Sequence, residues 1–267
     1  MPLKLSQLNT YRWRRLLKRL MLDGSRTKPR GQDTFETLGV QEEFLMQYPV
    51  IACAQRKLNL EFMIGEAHWV LSGANDTATP ASYMAKFAEY SDNGIVMAGA
   101  YGPAINRQLA YVVRTLMDDP HSRQAVLSIW HERPEPSKDI PCTVSLQFFL
   151  RQGSLHCVAN MRSSDVYLGL PYDIFTFSCI AAQVAHLLHQ QIGPDICWDS
   201  CAIELGYLTW QAGSAHLYYR DVEAATKCVN GTLLDGDPMP LLTAMSGGII
   251  ENLDGLLQGS VDDWVGR

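Results

Sequence analysis

The sequence predicts a sheet domain of the α+β or α/β class, and three observations carry that reading. Apolar residues recur at helical spacing from the start of the chain to Asp119. Strand-like runs follow between Ala125 and Met161, and helical spacing returns from Pro171. At 267 residues the chain suits one large domain or two small ones and can bury a substantial core. No linker divides it convincingly. The loop-like stretches GSRTKPRGQD (24–33) and HERPEPSKDI (131–140) are short, and neither repeats nor low-complexity tracts occur.

The elements follow in order. TYRWRRLLKRLMLDG predicts a basic amphipathic helix with Leu16, Leu17, Leu20 and Met21 on one side and Gly24 after its end. In an acidic chain that helix is expected to dock on the protein rather than on a membrane surface. NLEFMIGEAHWVLSG predicts a second, more buried helix, and NRQLAYVVRTLMDD a third that ends at Pro120. AVLSIW, TVSLQFFL and LHCVANM read as strands, the last two joined across Arg-Gln-Gly as a hairpin. PYDIFTFSCIAAQVAHLLHQQ reads as a helix stopping before Gly193-Pro194. YLTWQAGSAHLYY is expected to be strand broken at Gly213, and DVEAATKCVNG a closing helix.

Composition narrows the function. Hydrophobic content of 47% with 19% charged residues is that of an ordinary globular protein, and a net charge of −6 argues against a general nucleic-acid binder. No apolar run is long enough to span a bilayer, and the N-terminus runs into RWRRLLKRL without a signal peptide. Seven cysteines scattered from Cys53 to Cys228 read as reduced thiols, so a cytoplasmic protein is expected.

Several standard sites are missing: no Gly-rich dinucleotide or phosphate loop, no G-x-S-x-G and no C-x-x-C. His186 and His189 followed by Cys197 and Cys201 fit no common zinc spacing, and no metal is expected. Cys142, behind a proline at the mouth of a strand, is either a buried structural thiol or a nucleophile. A nucleophile needs positive charge nearby, for which Arg162 and Arg123 are the candidates. Asp173 poses the sharpest question, because it stands where a strongly apolar helix begins and aspartate is rarely buried unpaired.

IPCTVSLQFFLRQGSLHCVANMRSSDVYLGLPYDIF resembles the core of the thymidylate synthase family, where Pro-Cys-His and a Gln-Phe strand precede Arg-Ser-x-Asp-Val-x-Leu-Gly-Leu-Pro-x-Asn. GEAHWVLSGAND, DDPHSRQAVLSIW and AGSAHLYYRD resemble further family segments in the same order, so the likeness runs from about Arg30 to Asp221. The resemblance implies an α+β fold with a mixed sheet packed with helices, a single catalytic domain over 1–267, and a homodimer joined sheet to sheet. It also implies 5,10-methylenetetrahydrofolate as co-substrate beside a nucleotide.

Residue by residue, the resemblance makes Cys142 the thiolate that adds to C6 of a pyrimidine nucleotide, and Glu66 the organiser of water and proton transfers. Arg162 and Ser163 match the family's phosphate-binding pair, and Arg123 matches an arginine donated across the dimer interface. Arg30 takes the place of the arginine of the N-terminal loop. A guanidinium fork suits a phosphate. Gln124 stands where the family has a second consecutive arginine. His216 and Tyr218 match the pair that holds the sugar 3′-hydroxyl, Asp165 the aspartate that binds the pterin, and Gln147 a strand glutamine near the nucleotide.

Asp173 falls where the synthases carry the asparagine that reads the base. Cytosine presents an N3 acceptor and an N4 amino donor, the reverse of uracil, and a carboxyl group sharing one proton with N3 satisfies both. The expected substrate is therefore deoxycytidylate. Asp here, Cys142-Thr143 in place of Cys-His, VANMRSSDV and the ending DDWVGR all resemble the deoxycytidylate hydroxymethylases of bacteriophages, a branch of the same family. Such a protein would work in the host cytoplasm if phage-encoded. Synthases shield the late exocyclic methylene with a Trp-x-x-Trp segment, but YMAKFAEYSDNG (83–94) has no tryptophan and offers Lys86 or Phe87. Water can then add, which favours hydroxymethylation. A deoxycytidylate or cytidylate methyltransferase, a ribocytidylate hydroxymethylase and a non-catalytic nucleotide or messenger-RNA binder are the competing readings.

Overall fold

A computed structural model describes residues 3–130, 135–192, 203–234 and 249–258. The first helix, α1 (Leu5–Asp23), buries Trp13, Leu16, Leu17 and Leu20, leaves Arg19 and Lys18 outward and stops at Gly24. It docks on the protein, as its apolar stripe predicts. Its neighbour is β2 (Thr34–Leu45), preceded by the short β1 (Ser25–Thr27). The stretch 24–33 is thus not simply loop: it holds β1 and a single 3₁₀ turn, Pro29–Gly31.

Then come α2 (Leu60–Leu71), a short α3 (Ala78–Tyr83), a 3₁₀ turn at Ala85–Tyr90 and α4 (Gly102–Asp118). Strands β3 (Val126–Ser128), β4 (Thr143–Arg151) and β5 (Ser154–Asp165) follow. Gln152 and Gly153 close the β4–β5 hairpin with φ of 51° and 76°, the two left-handed residues of a turn that matches strand twist. Next are α5 (Leu170–Ile192), β6 (Glu204–Tyr218), α6 (Val222–Asn230) and α7 (Ile249–Gln258). Among the described residues the strands form one mixed sheet in the order β1-β2-β6-β5-β4-β3, antiparallel throughout except for the parallel pair β5–β6. That parallel pair needs a crossover, and α5 supplies it.

Helix α5 is apolar on nearly every side and lies in the centre of the core: Ile174, Phe175, Phe177, Ile180, Ala181 and Val184 are fully buried. Alternation along the strands turns Leu155, Cys157 and Ala159 of β5, and Leu208 and Trp210 of β6, toward it.

The expected break at Gly213 does not occur, because β6 pairs with both neighbours on either side of it. Something subtler happens there. Buried positions in β6 run 208, 210, 212 and then 215, 217, while those in β5 run to Met161 and resume at Ser164. The sheet is kinked along this line, where Gly39 has φ 63° and a Cβ on Gly213 would meet the Arg162 carbonyl at 3.0 Å. Cys197, Cys201, Gly193, Pro194 and the terminal DDWVGR lie outside the described residues. No described helix is long and apolar enough to cross a membrane.

Candidate active site

Beyond the kink, Ser163, Asp165, His216 and Tyr218 face the same way, with Asp165 paired to His216 and Ser163 to Ser214 in the parallel ladder. The Ser163 hydroxyl lies 3.4 Å from His216 Nδ1, and the His216 and Tyr218 rings meet edge to face at 5.2 Å. Glu36 of β2 is opposite His216 and accepts from the Ser214 hydroxyl, so the imidazole has a carboxylate neighbour that sequence reasoning missed. Burial still lowers the His216 pKa, and Arg30 and Arg162 push the same way.

Arg162 stitches this strand end to the nucleophile segment. Its N–H donates to the Cys142 carbonyl at 2.8 Å, Nε to the Pro141 carbonyl and a terminal nitrogen to the Ile140 carbonyl, both at 2.9 Å. The remainder of its fork is open to solvent, over the Trp130 ring. Arg30, in the turn before β2, has φ 50° and is close enough for both Cys142 and His216 to feel its charge. The fold therefore assembles Arg30, Cys142, Arg162, Ser163, His216 and Tyr218 in one region, two cations beside a thiol and a sugar-sized set of polar groups.

Next to Cys142 lies a cavity of about 110 Å³ whose wall includes Glu66 and Trp69 of α2, Phe87, Gly99, Tyr101, Asp139, and Asp173 and Thr176 of α5. Asn59 caps α2 by accepting from the Phe62 N–H, which fixes the helix that presents Glu66. Asp173 occupies the first turn of α5, and its N–H donates to the Gly169 carbonyl at 3.0 Å. Among the described residues no protein donor reaches the side-chain carboxyl of Glu66 or Asp173. Burial, then the charge of Asp173, pushes Glu66 up to about 8. Burial, then Asp165, pushes Asp173 up to about 7. At neutral pH Glu66 thus mostly keeps its proton and Asp173 is near half-protonated, so each can donate into the cavity.

Tyr101 closes this wall toward Cys142, its hydroxyl accepting from the Thr143 N–H at 3.4 Å, and burial raises its pKa. The Cys142 thiol is raised too: burial outweighs the lowering by Arg162 and Arg30. Burial thus works against the lowered pKa expected of a nucleophile. Asp165 turns Oδ1 to the N–H groups of Tyr167 and Leu168, at 3.0 and 2.9 Å, leaving Oδ2 without a donor among the described residues. Burial, against those two bonds, lifts it to about 6.

Gln147 and Arg123 lie elsewhere. Gln147 is in mid-β4, about 16 Å along the strand from Cys142 by strand rise, and its amide donates to the Arg123 carbonyl at 2.8 Å. The Arg123 side chain is exposed. Of the two candidates in the 83–94 segment, Phe87 is on the cavity wall, in edge contact with Trp69 at 6.3 Å. Trp69, Tyr101, Asp139 and Thr176 were missed; Trp69 and Thr176 stand one turn from Glu66 and Asp173, a spacing that could have found them. No group of described residues has the make-up of a metal site.

A comparison with protein-family models matches the thymidylate synthase family over residues 11–239. That is most of the chain, which therefore belongs to this family. It is a folate-dependent one-carbon transferase that acts at C5 of a pyrimidine nucleotide with methylenetetrahydrofolate.

Proposed function

We propose that this thymidylate synthase family member is a deoxycytidylate 5-hydroxymethyltransferase working through a Cys142–C6 adduct. The observation that supports it most is Asp173, a carboxyl raised to about 7 on the cavity wall, at the position where the resemblance places the synthases' asparagine. As Sγ bonds to C6, the C5=C6 pair moves toward C4 and the C4=N3 pair onto N3. A protonated Asp173 meets that charge at N3, while its other oxygen accepts from the N4 amino group. In uracil the charge develops on O4, one position away. Cytosine thus receives the acid where it becomes basic.

Arg30, Arg162 and Ser163 hold the phosphate, joined by Arg123 of a second copy, and Gln147 positions the Arg123 segment through its carbonyl. His216 and Tyr218 hold the 3′-hydroxyl, and Glu66 relays protons near C4 and C5. The free Oδ2 of Asp165 fits the donor edge of a pterin, and Trp69 and Phe87 give it an aromatic wall. When bound, the folate supplies a carbon at the oxidation level of formaldehyde.

That same aromatic wall favours one second reading, a methylating enzyme in which water is kept from the exocyclic methylene. Incubating the protein with deoxycytidylate and methylenetetrahydrofolate and weighing the products separates the two. Hydroxymethyl-deoxycytidylate with tetrahydrofolate is the expected result; methyl product with dihydrofolate replaces it by the second reading. Asp173→Asn is expected to shift kcat/KM toward deoxyuridylate by at least about a hundredfold, and an unchanged preference refutes the role given to Asp173.

A further inference from the structure

Three carboxyls border the cavity, and the mechanism above uses two. Asp139 comes from the loop that leads into Cys142. Its Oδ2 accepts from the Gly99 N–H at 2.7 Å, and a Cβ on Gly99 would come within 2.8 Å of its Oδ1 and of its main-chain carbonyl. Ser137 anchors this loop from behind: it accepts from the Asp139 N–H and donates to Asp92. Across the cavity, one turn along α5 from Asp173, Thr176 is 4% exposed and its Oγ1 is buried without a hydrogen-bond partner. A buried hydroxyl with no partner is destabilising, so a polar wall of this kind calls for water or ligand. The cavity, about 110 Å³, has room for a few waters.

Resting on the hydroxymethylation reading, we infer that Asp139 and Thr176 hold the water that completes the one-carbon group, with Asp139 as its base. The water oxygen bonds to the exocyclic carbon. The C=C pair of that carbon moves into the ring, C5=C6 re-forms, and the Cys142 thiolate leaves C6. The water proton goes to the Asp139 carboxylate. Every atom comes from water or from the adduct, and no redox partner is needed.

The test separates early from late steps, using Asp139→Asn, which keeps an acceptor for the Gly99 N–H, and Thr176→Val, which removes only the unpaired hydroxyl. With tritium at C5 of deoxycytidylate, isotope release reports adduct formation and carbon transfer. Recovery of hydroxymethyl product reports water addition. In a single turnover of Asp139→Asn, release is expected within about threefold of the unaltered protein while the rate of product formation falls at least about thirtyfold, and an added small thiol is captured on the exocyclic carbon in place of water. Thr176→Val is expected to lower product, by about threefold or more, without lowering release. Parallel loss of release and product in Asp139→Asn, or product unchanged in either variant, overturns the inference. An unaltered protein that releases no tritium from deoxycytidylate defeats the underlying reading and this inference with it.

Discussion

At Cys142 burial and charge oppose each other, and burial wins. The thiol is raised although two guanidiniums lie close, and its neighbour Tyr101 is raised as well, so neither group is an anion at neutral pH. On the mechanism proposed above, the thiolate forms once the nucleotide is in place. Labelling tests this directly. Alkylation of the Cys142 peptide by iodoacetamide should be slow at pH 7 and climb about tenfold per pH unit through pH 9; a plateau already reached below pH 8 would show a low-pKa thiolate instead. Cys157 and Cys179 are fully buried, burial raises both thiols, and they should label far more slowly. Cys142→Ser should abolish turnover while deoxycytidylate still binds, as read by calorimetry.

At the scale of elements, α2 and α5 press two carboxyls toward one cavity, and this has a sign in stability. Both folded pKa values, about 8 for Glu66 and about 7 for Asp173, lie above the unfolded values near 4. Between those limits the folded state holds more protons than the unfolded one, so stability from these groups is full below about pH 4 and is lost as pH rises toward 8. Glu66→Gln should raise Tm at pH 8.5 and flatten its decline between pH 5 and 8.5; a variant curve parallel to that of the unaltered chain would contradict the shift. Much of this arrangement was legible in sequence, because α5 and the β4–β5 hairpin carry plain periodicity. β2 was not. Its buried row is Val40, Glu42, Phe44, and the alternation is masked by Glu42, whose charge is met by Arg12 and Arg15 from α1. Nor could sequence place Tyr101 and Asp139, which reach the cavity from loops through contacts that no period records.

At the scale of the molecule, the described helices pack on one face of the sheet. The other face carries Phe149 and His156, then Gln147, Val158, Thr209 and Glu43, then Asn160, Gln211 and Gln41, in rows fixed by the strand register. Asn160 bonds Ser145 and Gln211 bonds Gln41 across it, which makes a pre-ordered surface with apolar patches between polar ladders. The dimer proposed above, a second copy laid on that surface, would give a role to Arg123, which sits at the β3 edge, exposed and away from its own thiol. Each site would then draw its thiol from one chain and a phosphate-binding guanidinium from the other. Mixing two inactive proteins decides it. Arg123→Ala and Cys142→Ser, denatured together and refolded in equal amounts, should form half their dimers as hybrids, each with one intact site, and recover about a quarter of full turnover. Sedimentation as an active monomer, or no recovery on mixing, would mean that each chain completes its own phosphate site and that the open face of the sheet serves something else.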